Sequence, residues 1–287
     1  MRNLFRYSPP ALSDNAVYAA VMGLLLWGIH ARGAAVYQIL LDALGPAGVF
    51  IGLGFGFYLG WFWLLGGITI ALDRRLDAPD PPAWLLRHRI QERQAGAGRR
   101  GPPLGKAAAV VLRNQLLGTL PAVVAVYALL QLRGVDLTAP PPVWWRVLLE
   151  LAVMVLVEEV LFYSVHRLMH RKSLFRRFHR IHHEFRESIG IATHYVHFVE
   201  HLLGNLLPIF AGVLLVGAHP VSAFLWIGLA VSNAIHTHSG YRWPGLPWSV
   251  EHDFHHWNIT GSYGAIGLLD RLLGTHAPLA ARAKMGD

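Results

Sequence analysis

Ten histidines in this chain fall into spacings that suit metal ligation. His166 and His170 stand in the run H-R-L-M-H, His179, His182 and His183 in H-R-I-H-H, and His252, His255 and His256 in H-D-F-H-H; His197 and His238 lie between the last two clusters. On a helix, residues at i, i+3 and i+4 share a face. The spacing therefore predicts three faces, each presenting two or three imidazoles. Imidazole ligates iron, copper and zinc, and this many rings suits two metal ions better than one. His238 opens the turn H-S-G-Y and is chosen over His236, which a helix would point the other way. His194, His201 and His236 fit either a ligand or a plain reading, whereas His30, His88, His219 and His276 read as isolated interfacial or loop residues.

The rest of the donor set narrows the chemistry. There is no cysteine, so thiolate metal sites, disulfides and cysteine nucleophiles are excluded. The metalloprotease pattern H-E-x-x-H is absent, because Glu187 stands where the second histidine would be. No glutamate has a histidine three residues on, which excludes the Glu-x-x-His pattern of soluble di-iron bundles. A shell of neutral imidazoles leaves a metal pair positive, which suits iron that activates O2 against an unactivated C–H bond; by ligand type alone copper and zinc also fit. Glu158, Glu159 and Asp253 are candidates to accept hydrogen bonds from the outward nitrogens of the ligand rings, with Glu184, Glu200 and Asp270 behind them.

The elements that would carry these residues are apolar helices. The chain is 54% hydrophobic and 15% charged over 287 residues, against about 25% charged in a soluble domain. Pro46–Leu72 contains no formal charge and exceeds the roughly 20 residues that cross a bilayer. Further spans are expected at Ala16–Ile29, Ala107–Leu132 and Trp144–Tyr163, with Ala34–Leu44 extending the first along the interface. Leu202–Gly217 and Val221–Ala234 are expected as a membrane hairpin, residues 164–201 as amphipathic helix, and Trp84–Gln94 as a short interfacial helix in an otherwise loop-like 73–106 segment. The expectation is an all-α integral membrane protein: four or more transmembrane helices plus a membrane hairpin, with a cytoplasmic histidine-rich helical cap holding a dimetal site. Residues 1–106 form the N-terminal membrane part and basic loop, and 107–287 the catalytic domain.

The net charge of +8 comes from 22 arginines and three lysines. They sit in loops between apolar segments, which points to anionic headgroups rather than nucleic acid. The basic segments 73–106 and 171–186 orient the chain with its histidine clusters toward the cytoplasm. The wealth of alanine, glycine and arginine suggests a bacterial inner membrane. The N-terminus lacks the pattern of a cleaved signal peptide.

Together, H-R-L-M-H, H-R-I-H-H-E-F, H-S-G-Y, H-D-F-H-H and the closing D-R-L-L-G-T resemble the fatty acid hydroxylase/sterol desaturase superfamily, and within it most the C4-methyl sterol oxidase branch. The likeness covers about Glu150 to Thr275. It implies a membrane oxidoreductase with two iron ions and O2 as co-substrate, which hydroxylates a lipid or oxidises a methyl group on one. It implies His166, His170, His179, His182, His183, His197, His238, His252, His255 and His256 as ligands, although Phe198 replaces the proline that commonly follows the His197 position. Electrons would come from a separate cytochrome b5- or ferredoxin-like carrier and its reductase. Desaturation by the same site, or a non-redox metal-binding membrane protein, are the alternatives. The spans would frame a lateral tunnel, with Trp144, Trp145, Phe162 and Tyr163 as lining or lipid-facing residues.

Overall fold

The computed structural model describes residues 12–91, 101–242 and 248–276. Gln94, with Arg93, Arg99 and Arg100 of the basic loop, lies outside the described residues. Among those described the protein is helical throughout, with no strand. An isolated antiparallel bridge joins Arg89 to Tyr241.

The long helices are α1 (Leu12–Ala47), α2 (Gly54–Leu76), α4 (Leu104–Leu132), α5 (Trp144–Met169), α6 (Phe198–Val216) and α7 (Pro220–His238). Shorter ones are α3 (Ala83–His88), α8 (Trp248–Asn258) and α9 (Leu268–Leu272). In an apolar solvent every backbone amide must be satisfied within the chain, which is why apolar runs of this length form helices. Three runs are long and apolar enough to cross a membrane: Ala20–Leu76, Leu104–Leu132 and Phe198–Val216. Leu24, Trp27, Leu64, Leu117, Leu132 and Leu215 stay exposed on these helices, as lipid-facing residues should.

Several boundaries differ from the sequence expectation. Ala34–Leu44 extends the first apolar stretch, and the helix is not interrupted after Ile29: α1 runs on until Gly45 adopts φ 66°, ψ 169°. That conformation is open to glycine alone, and Pro46 then begins a new helical segment. The fourth expected span is a helix of sufficient length, α5, but Arg146, Glu150, Glu158 and Glu159 keep it outside the apolar set. The short interfacial helix ends at His88, after which Arg89–Gln91 run extended against 240–242, with Ile90 N donating to Gly240 O at 3.0 Å and Arg242 N to His88 O at 2.7 Å. The amphipathic helix expected over 164–201 is broken: α5 stops at Met169, followed by a π turn at Phe175–His179 and 3-10 turns at His182–Glu184 and Gly190–His194.

The expected hairpin is present as α6 and α7, tied by the Trp226 indole donating to Ile209 O at 3.1 Å. Helices α5 and α6 approach closely. A Cβ placed on Gly212 would lie 2.9 Å from Met154 Cα, so only glycine permits this approach. Leu130, Val147, Met154, Val213 and Trp226 fill the main core beneath the histidine cap.

Candidate metal centre

Nine of the ten expected histidines converge. His166, His170, His179, His183 and His255 form one group, and His182, His238, His252 and His256 a second; within each group one nitrogen per residue lies within 4.8 Å of the others. His166 projects from the last turns of α5, His170 caps it, His238 ends α7, and His252, His255 and His256 lie on α8. His179 closes the π turn, and such turns recur at functional sites because the extra residue re-aims the side chains that follow.

The two H-x-x-H-H triplets divide in opposite senses. His179 and His183 serve the first group and His182 the second; His252 and His256 serve the second and His255 the first. Each triplet thus spends its i, i+4 pair on one group and its i+3 ring on the other.

Backbone carbonyls hold the rings from behind. The Nδ1–H groups of His166, His238, His255 and His256 donate to Tyr263 O, Ala234 O, Gly261 O and Phe185 O at 2.9, 2.8, 2.6 and 3.1 Å. His179 Nδ1 donates to Glu200 Oε1 at 2.6 Å. With Nδ1 protonated, a neutral ring presents only a lone pair at Nε2. Yet His179 Nε2 lies 2.9 Å from His170 Nε2 and 3.0 Å from His183 Nε2, and His238 Nε2 lies 2.8 Å from His252 Nε2 and 3.3 Å from His182 Nε2. His179 Nε2 and His238 Nε2 each face two imidazole nitrogens at these distances with a single lone pair, an arrangement that a cation shared between the rings would satisfy. Around an octahedral ion with metal–nitrogen bonds of about 2.1 Å, adjacent donors sit about 3.0 Å apart. Nε2 of His166, His255 and His256 is buried with no hydrogen-bond partner, as a ligand nitrogen would be. The residues therefore fit a pair of metal ions.

Burial, ahead of repulsion between neighbouring imidazoles, pushes His166, His182, His183, His252, His255 and His256 well below the ordinary imidazole range. The same causes bring His170 to about 3. All are thus neutral at physiological pH, the form that binds metal.

His197 stands apart from both groups. It is the N-cap of α6, its Nδ1 accepting Val199 N at 3.2 Å, and its ring packs edge-on against Phe178 with centroids 5.1 Å apart. Nor is His194 in either group; its Nδ1 pairs with Tyr58 Oη at 3.0 Å. The carboxylates also sort themselves. Glu200 touches a group histidine. Glu159 instead accepts Ile266 N at 2.9 Å and Leu269 N at 2.8 Å, anchoring the turn into α9. Glu158 lines the cavity beside the histidines. Asp253 accepts Gln91 Nε2 at 2.7 Å from the extended 89–91 segment, and burial, opposed by Arg89 and Gln91, raises it to about 6. Nothing in the sequence signals the Gln91 contact, 162 residues away from its partner.

A cavity of about 900 Å3, part of it open to the surroundings, borders the histidines and is lined also by Phe162, Glu158, Asn205 and Asn233. Trp144 and Trp145 are exposed and do not reach it; Tyr163 is buried and bonds Arg167 and Thr275.

The family model for fatty acid hydroxylases matches residues 151–275. The chain is similar to fatty acid hydroxylase domain-containing protein 2 of Macaca fascicularis, 36% identical over 75% of this chain and 63% of that protein. It is similar to fatty acid hydroxylase ahd1 of Mycosarcoma maydis, 33% identical over 75% of this chain and 55% of that protein. To methylsterol monooxygenase 1-3 of Arabidopsis thaliana it is 36% identical over half of each chain. The chain thus spans less than two thirds of the length of these relatives. No solved structure is significantly similar to it.

Proposed function

Through residues 151–275 this chain belongs to the fatty acid hydroxylase/sterol desaturase superfamily, and from that premise we propose that it is a membrane di-iron enzyme that uses O2 to hydroxylate a lipid or to oxidise a methyl group on one. The observation that carries the reading is the convergence of five and four imidazoles in two adjoining groups, with rings of both groups facing one cavity.

Bound iron supplies the activation of O2 and the oxidation of the C–H bond. The overall change takes R–H, O2, two electrons and two protons to R–OH and water. The chain's own residues hold and orient. Tyr263, Gly261, Phe185 and Ala234 carbonyls fix the ring tautomers, and Glu200 makes the His179 ring a stronger donor. Burial of eight of the nine histidines helps to exclude bulk water from the reacting side. Glu158, on the cavity wall, is placed to hold a proton near the substrate. Electrons come from a separate cytochrome b5- or ferredoxin-like carrier with its reductase, because the chain has no cysteine for a cluster and no cofactor motif of its own.

The catalytic domain is read as 107–287, with 1–106 as the N-terminal membrane part. The basic 171–186 segment favours histidine clusters on the cytoplasmic face. The relatives found are eukaryotic, so the bacterial inner membrane rests on composition alone.

The test is metal content of detergent-purified protein beside a His182→Ala/His183→Ala variant, followed by a lipid screen with O2 and reductant. Two irons per chain, lost in the variant, and a product that has gained one oxygen atom support the reading. Zinc alone after anaerobic expression with iron, or metal unchanged in the variant, overturns it. Loss of two hydrogens from the lipid instead identifies a desaturase.

A further inference from the structure

Beneath the histidine cavity lies a second chamber of about 680 Å3, lined by Phe50, Val123, Phe210, Val213, Phe224 and Ile227 among others. It is bounded by the apolar helices. Its wall shares His194, Ile209 and Ala234 with the histidine cavity, so the two meet there. Among the described residues, three polar side chains face this chamber: Tyr58, Thr119 and His194. Thr119 Oγ1 pairs with His201 Nε2 at 2.9 Å, and Tyr58 Oη with His194 Nδ1 at 3.0 Å.

His194 is 5% exposed, and its ring is clamped by Phe62, stacked at 4.7 Å between centroids with planes 22° apart. Its Nδ1 is engaged, while its Nε2 makes no hydrogen bond among the described residues. Nearby, Asn205 donates to Thr193 O, Asn233 to Ala265 O, and Thr237 to Ala234 O. The junction thus holds a fixed, buried imidazole with its Nε2 to offer.

We infer that His194, held by Tyr58, binds a hydroxyl of the lipid substrate at the junction, with the lipid's hydrocarbon body in the apolar chamber. This rests on the reading that the lipid reacts in the histidine cavity, and adds to it which part of the lipid is gripped and where. A hydroxyl both donates and accepts, so it satisfies Nε2 in either tautomer of the Tyr58–His194 pair, whereas a carbonyl satisfies only one. His194 lines the same cavity as His179, His182 and His238, so the carbon that is oxidised lies close to that hydroxyl along the lipid.

The test uses full-length, metal-loaded protein in detergent and two photoreactive probes: octadecanol carrying a diazirine on its chain, and the matching diazirine-bearing octadecane. Labelling is mapped by mass spectrometry, and metal content is measured on every sample. The alcohol is expected to label chamber residues about five- to tenfold more efficiently than the hydrocarbon, the scale of one buried hydrogen bond. His194→Leu is expected to bring the two probes to parity with metal content unchanged. Tyr58→Phe reduces the preference part of the way, and Ala223→Trp, which fills the chamber, cuts labelling by both probes. Equal labelling in the wild type, or a preference that survives His194→Leu, overturns the inference. If His194→Leu loses its metal and fold, Tyr58→Phe decides, and an unchanged preference there overturns it. Wild-type protein that carries no iron yet shows the alcohol preference would sink the di-iron reading and leave His194 as a lipid contact.

Discussion

His182 and His183 are adjacent in sequence but serve different nitrogen groups, their ring centroids 5.5 Å apart and their planes at 79°. That divergence is what the proposed pair of ions requires. His183→Ala should weaken the five-nitrogen group and His182→Ala the four-nitrogen group. Each single substitution is expected to remove about half of the bound metal, because the other group keeps its full set. Metal analysis of the purified variants checks this; loss of all metal from both would sink the division into two groups.

Glu200 holds His179 from outside the group. Glu200→Gln keeps the shape and a hydrogen bond but removes the charge that makes the ring a strong donor. Metal affinity should fall about 10- to 100-fold, the range for an outer partner of a ligand histidine, with the melting temperature of the metal-free protein little changed. Competition with a chelator of known affinity measures it.

His197→Ala separates the spacing-based ligand set from the observed geometry. Its side chain caps α6 and touches neither group. The expected outcome is unchanged metal stoichiometry and a stability loss of ~1 kcal/mol, typical of a lost helix cap. A variant with a metal deficit like that of His183→Ala would restore His197 to the ligand set.

Gly212→Val places a side chain where Met154 Cα already stands. Helices α5 and α6 must separate, and overpacking of this kind costs ~1–3 kcal/mol. Thermal unfolding in detergent should show a lower midpoint, and because α5 carries His166 the variant should also release metal at a lower chelator concentration. An unchanged midpoint would mean the two helices are looser than described.

The histidine clusters were legible because the spacing itself encodes convergence: nine of ten residues picked by pattern meet in space. What the pattern could not show is which ring serves which group. An i, i+3, i+4 triplet puts its rings on one broad face, yet His252, His255 and His256 divide between the groups on a regular helix just as His179, His182 and His183 do across a π and a 3-10 turn. The division is set by the rings packed opposite, and side-chain periodicity does not report it. The apolar helices were legible from length and charge, and Ala34–Leu44 was expected to extend the first of them; the break at Gly45 was not, because a positive φ there is a backbone property that apolar patterning does not report. Glu159 was misread for a related reason. Its position in a span suggested service to a histidine, whereas its carboxylate satisfies two backbone amides of a turn more than 100 residues on.

Gln91 reaches Asp253 and Tyr241 Oη donates to Asp73 Oδ1 at 2.9 Å, so chain from before the family-matched segment is stitched into the histidine cap. Asn114 adds a second stitch, donating to His194 O and Val196 O at 3.1 and 2.9 Å. The family-matched segment is therefore not portable. A chimera that grafts 151–275 onto another membrane anchor would leave Asp253 and the His194 turn without their partners, and exchange between relatives should succeed only when residues 73–91 and 114 travel with the histidines.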